Sequence, residues 1–250
     1  MQLVTYGKQD QYIHGNPQIT FFKSVYRRHT NFAIESIPQI ITHDDSSGGE
    51  SNVTISKGNG DLINKIYIVY ESDYNIYGDE LIQEVELIIG GTTIDKHTNE
   101  WLKVWRELST PLSKAEGTKY MSSNLDGTLL TRSEIGRSSV MIPLQFWFCR
   151  YPGLSLPIIS LTSSDVKLKF KNGRFSDINR DPNQVLPAPD GFFIFEVWID
   201  YIFLDTEERV RFAQGSHEYL IEQVQKQDGT PVGGTASTSY DLHFNHPVKE

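Results

Sequence analysis

Apolar and polar residues alternate with a period of two in several stretches of this chain. Val166, Leu168 and Phe170 fall on one side, and Lys167, Lys169 and Lys171 on the other. Side chains of a strand point alternately to opposite faces, so this run predicts a strand with one buried and one solvated face. Val85, Leu87 and Ile89 against Glu84 and Glu86 repeat the pattern. Gly90-Gly91 follows, then Thr92-Thr93-Ile94, which is a hairpin signal. Val53 and Ile55 against Thr54 and Ser56 predict a short strand closed by Gly58-Asn59-Gly60. Phe32, Ile34 and Ser36 oppose Ala33, Glu35 and Ile37, and Pro38 demotes or bends that strand because it has no N–H to donate. Near the end, 219–225 predicts a strand, and Tyr240, Leu242 and Phe244 alternate with Asp241, His243 and Asn245.

Three further stretches are apolar on both sides. Residues 63–71, around Ile66-Tyr67-Ile68-Val69-Tyr70, suit a strand covered on both faces. Residues 140–150 predict a strand with aromatics on both faces, broken by Tyr151-Pro152-Gly153. In 192–204, Phe193, Phe195, Val197, Ile199, Tyr201 and Phe203 line one face of a strand of roughly 40 Å. Its other face mixes Phe192, Ile194, Trp198 and Ile202 with Glu196 and Asp200. That face is too apolar for water, so a neighbouring domain or another subunit is expected to cover it.

Helical spacing is rare. Trp101, Trp105 and Leu108 recur at four and three residues, with Thr98 as N-cap and Pro111 as stop. Asp205, with Glu207 and Glu208 in the first turn, opens a short helix to about Ala213. Residues 112–139 read as a long loop with room for one short helix, and 172–190 as a second long loop. Both are expected to face outward. About ten short strands that do not alternate with helices predict an all-β fold. It is read as an antiparallel β-sandwich of jelly-roll type with a few short helices in loops.

Composition narrows the partners. The 250 residues are 38% hydrophobic and 12% aromatic, enough for a large core. A net charge of −9 argues against a surface that grips nucleic acid throughout. The lone Cys149 allows no intramolecular disulfide. Residues 1–11 lack an apolar leader, and no run nears the ~18 apolar residues of a membrane span. A soluble protein made in a reducing compartment is expected. The sequon Asn52-Val53-Thr54 carries little weight without a secretory signal.

Candidate chemistry is sparse. His43-x-Asp45, with His97 or His217, has the composition of a two-His-one-carboxylate iron site, but it sits in a Ser/Gly loop that aims no ligand. His243 and His246 would point to opposite faces of an extended segment. Cys149, after Trp147-Phe148, reads as a small buried hydrophobe with no base beside it. No nucleophile elbow is present, and Gly58-Asn59-Gly60 lacks the Lys and Ser/Thr of a phosphate loop. Trp101 and Trp105 either pack their helix on the sandwich or form a sugar platform. The second option sustains an alternative reading, a carbohydrate-binding or carbohydrate-active jelly roll. Arg27-Arg28-His29 is too short to neutralise a track of phosphates and is read as a salt-bridging or trimer-contact cluster. No catalytic, cofactor-binding or metal-binding residue is expected.

The run Gly15-Asn16-Pro17-Gln18-Ile19-Thr20-Phe21-Phe22-Lys23, with Tyr26-Arg27-Arg28-His29-Thr30-Asn31-Phe32-Ala33, resembles the N-terminal signature of the major capsid proteins of nucleocytoplasmic large DNA viruses. Ile89-Gly90-Gly91 with Ile94-Asp95-Lys96-His97 and Trp101-Leu102 resembles the same family. So do Ile142-Pro143-Leu144-Gln145-Phe146-Trp147-Phe148-Cys149-Arg150, Tyr201 to Thr206, His217 to Gln223, and Phe244 to Glu250, in the family's order. The resemblance implies a double jelly roll whose trimers form pseudo-hexameric capsomers of an icosahedral shell. It implies residues 1–19 as an arm, 20–212 as the first jelly roll, and 213–250 as the connection and opening strands of a second, incomplete one. A chain that stops inside a family stretch is expected to be a fragment or a truncated product. Implied partners are the homotrimer, neighbouring capsomers, minor capsid proteins and an inner membrane beneath the shell, with no specific nucleic acid. Implied location is the virion, assembled in host cytoplasm. The implied packing and contact residues begin with Pro17, Phe21, Phe22, Tyr26, Arg27, Arg28, His29 and Phe32. They continue with Trp101, Trp105, Phe146, Trp147, Phe148 and Arg150, and end with Trp198, Tyr201, Asp205 and Arg209.

Overall fold

Strands β5 (Ile82–Ile89) and β6 (Thr92–Thr98) are joined by Gly90 and Gly91, whose φ values are 60° and 84°. Positive φ at both positions makes a turn whose twist matches the strands, and glycine reaches it without a Cβ clash. Around this hairpin the chain lays down nested antiparallel pairs. β4 (Leu62–Ser72) pairs β7 (Ser138–Pro143), β3 (Glu50–Thr54) pairs β8 (Val166–Asn172), and β1 (Phe32–Gln39) pairs β9 (Glu196–Leu204). A short β2 (Ile41–Asp44) adds to β3. The strands form a four-stranded sheet in the order β1-β9-β4-β7 and a five-stranded sheet in the order β2-β3-β8-β5-β6. Every pairing is antiparallel, and the wrapped ribbon is a jelly roll.

The computed structural model describes Lys8 and residues 29–44, 49–72, 78–122, 138–174, 194–227 and 241–249. Residues 32–250 form one compact unit and residues 1–31 another. All the elements named here belong to the first.

The core lies between the two sheets. Val53, Val85, Leu87, Leu168 and Phe170 of the five-stranded sheet are fully or nearly fully buried, as are Ile63, Ile66, Ile68, Val197, Ile199 and Tyr201 of the four-stranded sheet. The register of β4 on β9 shifts between Ile63 and Ile66, where three steps on one strand oppose two on the other. This bulge lets Ile63 and Ile66, three residues apart, both point inward. Pro38 sits within β1, an edge strand, where a missing N–H is tolerated.

Helix α1 (Asn99–Ser109) begins at Thr98, whose Oγ1 accepts from Trp101 N at 3.4 Å. Its buried residue is Leu102, and Leu108 is exposed, so the expected Trp101-Trp105-Leu108 face is corrected at its last member. The short helix allowed within 112–139 is α2 (Leu112–Met121). Helix α4 (Thr206–Gln214) is capped by Asp205, whose Oδ1 accepts from Thr206 N at 2.7 Å.

Four expected strands differ. The run 140–150 stays in β7 only to Pro143, and Trp147–Arg150 is the single helical turn α3. Proline cannot extend the ladder, and the turn packs Phe146, Trp147, Phe148 and Cys149 inward together. The long aromatic strand begins at Glu196, with Ile194 and Phe195 ahead of it and Phe192 and Phe193 outside the described residues. Residues 219–225 and 241–245 are in no strand. Side chains tie the second to the first: His243 N donates to Gln227 Oε1 and Asn245 N to Gln225 Oε1, each at 2.9 Å.

Candidate contact surfaces

The two sheets turn very different faces outward. On the five-stranded sheet, Lys171 lies opposite Glu50 and Glu84, Lys169 opposite Asn52 and Glu86, and Lys96 opposite Glu86. Lys96 Nζ reaches Glu84 at 2.6 Å and Glu86 at 3.4 Å, and Lys169 reaches Glu50 at 3.0 Å. Hydrogen bonds to these carboxylates raise the pKa of Lys96 and of Lys169. Such cross-strand charge ladders suit water.

The four-stranded sheet differs. Pro38, Trp198, Tyr67 and Pro143 form one row across all four strands. Val69 and Met141 face outward beside it, and Phe32 and Ile34 stand 66% and 50% exposed at the β1 end. One polar cluster interrupts the apolar surface. Ser36 Oγ donates to Asp200 Oδ1, and Tyr67 also hydrogen-bonds to Asp200. Burial first, and the Asp200 charge second, push the Tyr67 hydroxyl up to about 12. Trp198 Nε1 donates to Glu196 Oε2 at 2.8 Å, leaving the indole face available. Half-buried aromatics with their polar tips satisfied form an apolar surface over a rigid sheet.

A second aromatic group closes the sandwich side. His97 stacks on Phe146 with centroids 4.6 Å apart, Phe146 lies 6.0 Å from Phe148, and Trp147 meets Phe148 edge-on at 5.1 Å. Trp101 lies against Trp105 at 5.6 Å, and the Arg150 guanidinium sits 4.2 Å over Trp105. That cation occupies one face of Trp105 in the way expected of a cation–π contact. The tryptophans therefore pack the helix, and a stacked sugar finds that ring face taken. Arg150 also pairs with Glu222.

The remaining sequence-selected residues fall as follows. Pro17, Phe21, Phe22, Tyr26, Arg27 and Arg28 lie outside the described residues, and His29 is exposed. Tyr201 is fully buried, its hydroxyl donating to Gln39 Oε1 at 3.1 Å, and burial pushes its pKa up to about 12. Arg209 Nε meets Asp61 at 2.9 Å. His43 Nδ1 is 2.7 Å from Ser51 Oγ, while Asp45 lies outside the described residues. Among the described residues no three His, Cys, Asp or Glu side chains are grouped to hold a metal ion. Burial pushes the Cys149 thiol up to about 12. Sequence reasoning missed Asp95, a buried carboxylate 2.8 Å from His97 Nε2, because an acid among threonines and a lysine reads as surface.

Two antiparallel sheets wrapped into one sandwich place the chain in the class of all-β jelly rolls. The profile described as "Major capsid protein N-terminus" matches residues 20–205, and the chain belongs to that family. It is 44% identical to the major capsid protein of Pyramimonas orientalis virus over 100% of this chain and 63% of the relative. It is 42% identical to that of Paramecium bursaria Chlorella virus 1, over 99% of this chain and 58% of the relative. It is 38% identical to capsid protein 1 of Acanthamoeba polyphaga mimivirus, over 100% of this chain and 47% of the relative. The chain thus spans about half to just under two thirds of these relatives' lengths. The solved PBCV-1 VP54, fitted into a reconstruction of the virophage Sputnik, superposes with a TM-score of 0.66 at 39% identity. The match covers 82% of this chain and 50% of that one. The Faustovirus major capsid protein, at 12% identity and a TM-score of 0.52 over 83% of this chain, shares the fold.

Proposed function

We propose that this chain is the N-terminal part of a capsid subunit that trimerises into pseudo-hexameric capsomers and tiles an icosahedral shell. The observation that carries the proposal is the apolar outer face of the four-stranded sheet, set against the charge-laddered face of the other sheet. Its family membership supports the same reading. Covering an exposed Phe, Ile or Trp is worth roughly 1.5–3 kcal/mol each. Association entropy consumes much of that, so a single contact stays weak. A closed shell repeats the contact many times and is stable without any one of them being strong. Weak contacts also let a misplaced subunit leave.

In this reading residues 20–212 are the first jelly roll and 213–250 lead into a second, while 1–19 form an arm. Neighbouring capsomers, minor capsid proteins and an inner membrane are the further partners. Assembly takes place in host cytoplasm and no catalytic step is involved.

The test is solution mass. Light scattering on the purified protein is expected to give a trimer, and Trp198→Asp with Ile34→Asp is expected to shift it to monomer while the circular dichroism is kept. A wild-type protein that stays monomeric over a wide concentration range sinks the proposal.

A further inference from the structure

After α4 the chain leaves the body through exposed residues Gly215 to Glu218 and runs along the β6 edge of the five-stranded sheet. Among the described residues, no backbone–backbone hydrogen bond is made by 216–227. The segment is held by side chains instead. Tyr219 donates its hydroxyl to Ser155 O at 3.2 Å, Glu222 pairs with Arg150, and Lys226 lies 3.5 Å from Glu100. The Gln223 side-chain amide donates to Ile94 O, taking the place a neighbouring strand's N–H would hold.

The central tie is different in kind. Val224 N donates at 3.0 Å to Asp95 Oδ1, which also accepts from Lys96 N at 2.9 Å. The other oxygen, Oδ2, is 2.8 Å from His97 Nε2, and both side chains are 1% exposed. A carboxylate only accepts, so His97 places its proton on Nε2. The ring is wedged against Phe146 and holds the carboxylate in aim. His97 Nδ1 is buried with no hydrogen-bond partner among the described residues, so Asp95 is the imidazole's one polar contact there.

We infer that residues 219–227 are a releasable strap guarding the β6 edge, with Asp95 as its buckle and His97 as the residue that positions Asp95. Leu220 and Ile221 face solvent, so opening the strap uncovers little apolar surface. Segments with few buried apolar contacts open at low cost relative to global unfolding. Once open, β6 presents an unpaired edge, and an edge strand accepts an extended segment from a second copy of this chain. The contact differs from the apolar sheet face, since it is made by backbone groups of β6.

Hydrogen exchange by mass spectrometry, paired with sedimentation, tests this. Asp95→Ala is expected to speed exchange of the Val224 amide, the strap amide that Asp95 holds, at least tenfold, with β5 and β8 amides still protected. It is also expected to produce concentration-dependent association that Trp198→Asp does not remove. Asp95→Asn keeps an acceptor for Val224 N and is expected to move exchange far less. A folded Asp95→Ala variant whose strap exchanges as in the wild type overturns the inference. Should that variant fail to fold, Glu222→Gln combined with Gln223→Ala touches only the outer ties. Unchanged strap exchange and unchanged association in that variant overturn it equally.

Discussion

Arg209 Nε sits 2.9 Å from Asp61 Oδ1, while the other oxygen of Asp61 accepts Leu204 N at 2.9 Å. One buried carboxylate just ahead of β4 therefore fixes the end of β9 and the start of α4. The two partners are unequal, since the Asp61 side chain is 6% exposed and that of Arg209 is 61% exposed. Asp61→Ala leaves the part-buried Leu204 N–H without this acceptor and is expected to cost about 2 kcal/mol. Arg209→Ala removes an exposed cation and is expected to cost below about 1 kcal/mol. Urea melts of both variants check the asymmetry; equal losses would contradict it.

Tyr201 and Gly60 form a second coupled pair. A Cβ added at Gly60 would lie 2.7 Å from Tyr201 Cβ and 2.9 Å from its Cδ1. Gly60→Ala is expected to cost roughly 1–3 kcal/mol by overpacking. Tyr201→Phe loses the hydroxyl's bonds to Gln39 and Asn59 and is expected to cost about 1 kcal/mol, whereas Tyr201→Ala, leaving a ring-sized cavity, costs about 3–5 kcal/mol. Thermal denaturation of the three variants gives the order directly.

Two glycines make opposite predictions from the same substitution. Gly91 has φ 84° and nothing within 4 Å of an added Cβ, so Gly91→Ala carries conformational strain alone, about 1 kcal/mol. At Gly173 the Cβ would lie 2.0 Å from Glu80 O, a backbone atom that cannot rotate away. Gly173→Ala is expected to prevent soluble expression or to lower the melting temperature by far more than Gly91→Ala. Comparable melting temperatures would show that the Glu80 segment yields.

The Cys149 thiol is buried and its pKa is raised to about 12 by that burial. It therefore stays protonated at neutral pH, and the thiolate is the reactive form. Iodoacetamide is expected to label it only at the rate of unfolding, and fully in denaturant. Because the folded pKa exceeds the unfolded one, stability from this group is present below the unfolded pKa. It declines as pH rises through that value toward about 12. Rapid labelling of native protein at neutral pH would refute the buried-thiol account.

Much of the sandwich was legible from alternation. β8 shows the pattern plainly, with Val166, Leu168 and Phe170 buried and Lys167 and Lys171 exposed. The β5–β6 hairpin and both caps, at Thr98 and Asp205, were equally readable, since a turn or a cap is a contact between near neighbours. Trp147 to Arg150 was misread, because an aromatic run has no period that separates a strand from one buried turn. The connection at 219–225 has strand-like alternation but no strand, because it is held by the carbonyls of Ile94 and Ser155 and the side chains of Asp95 and Arg150, all far away in the chain.

Sequence alone determined the all-β class, the β5–β6 hairpin, the helix starts at Thr98 and Asp205, and the family. Each of these is written in local spacing and short-range chemistry. Tertiary structure decided which sheet shows an apolar outer face, that the bulge in β4 turns both Ile63 and Ile66 inward, and that Asp95 is buried against His97 and Val224. Pairing between distant strands sets those neighbours, and no local pattern encodes which strand lies next to which.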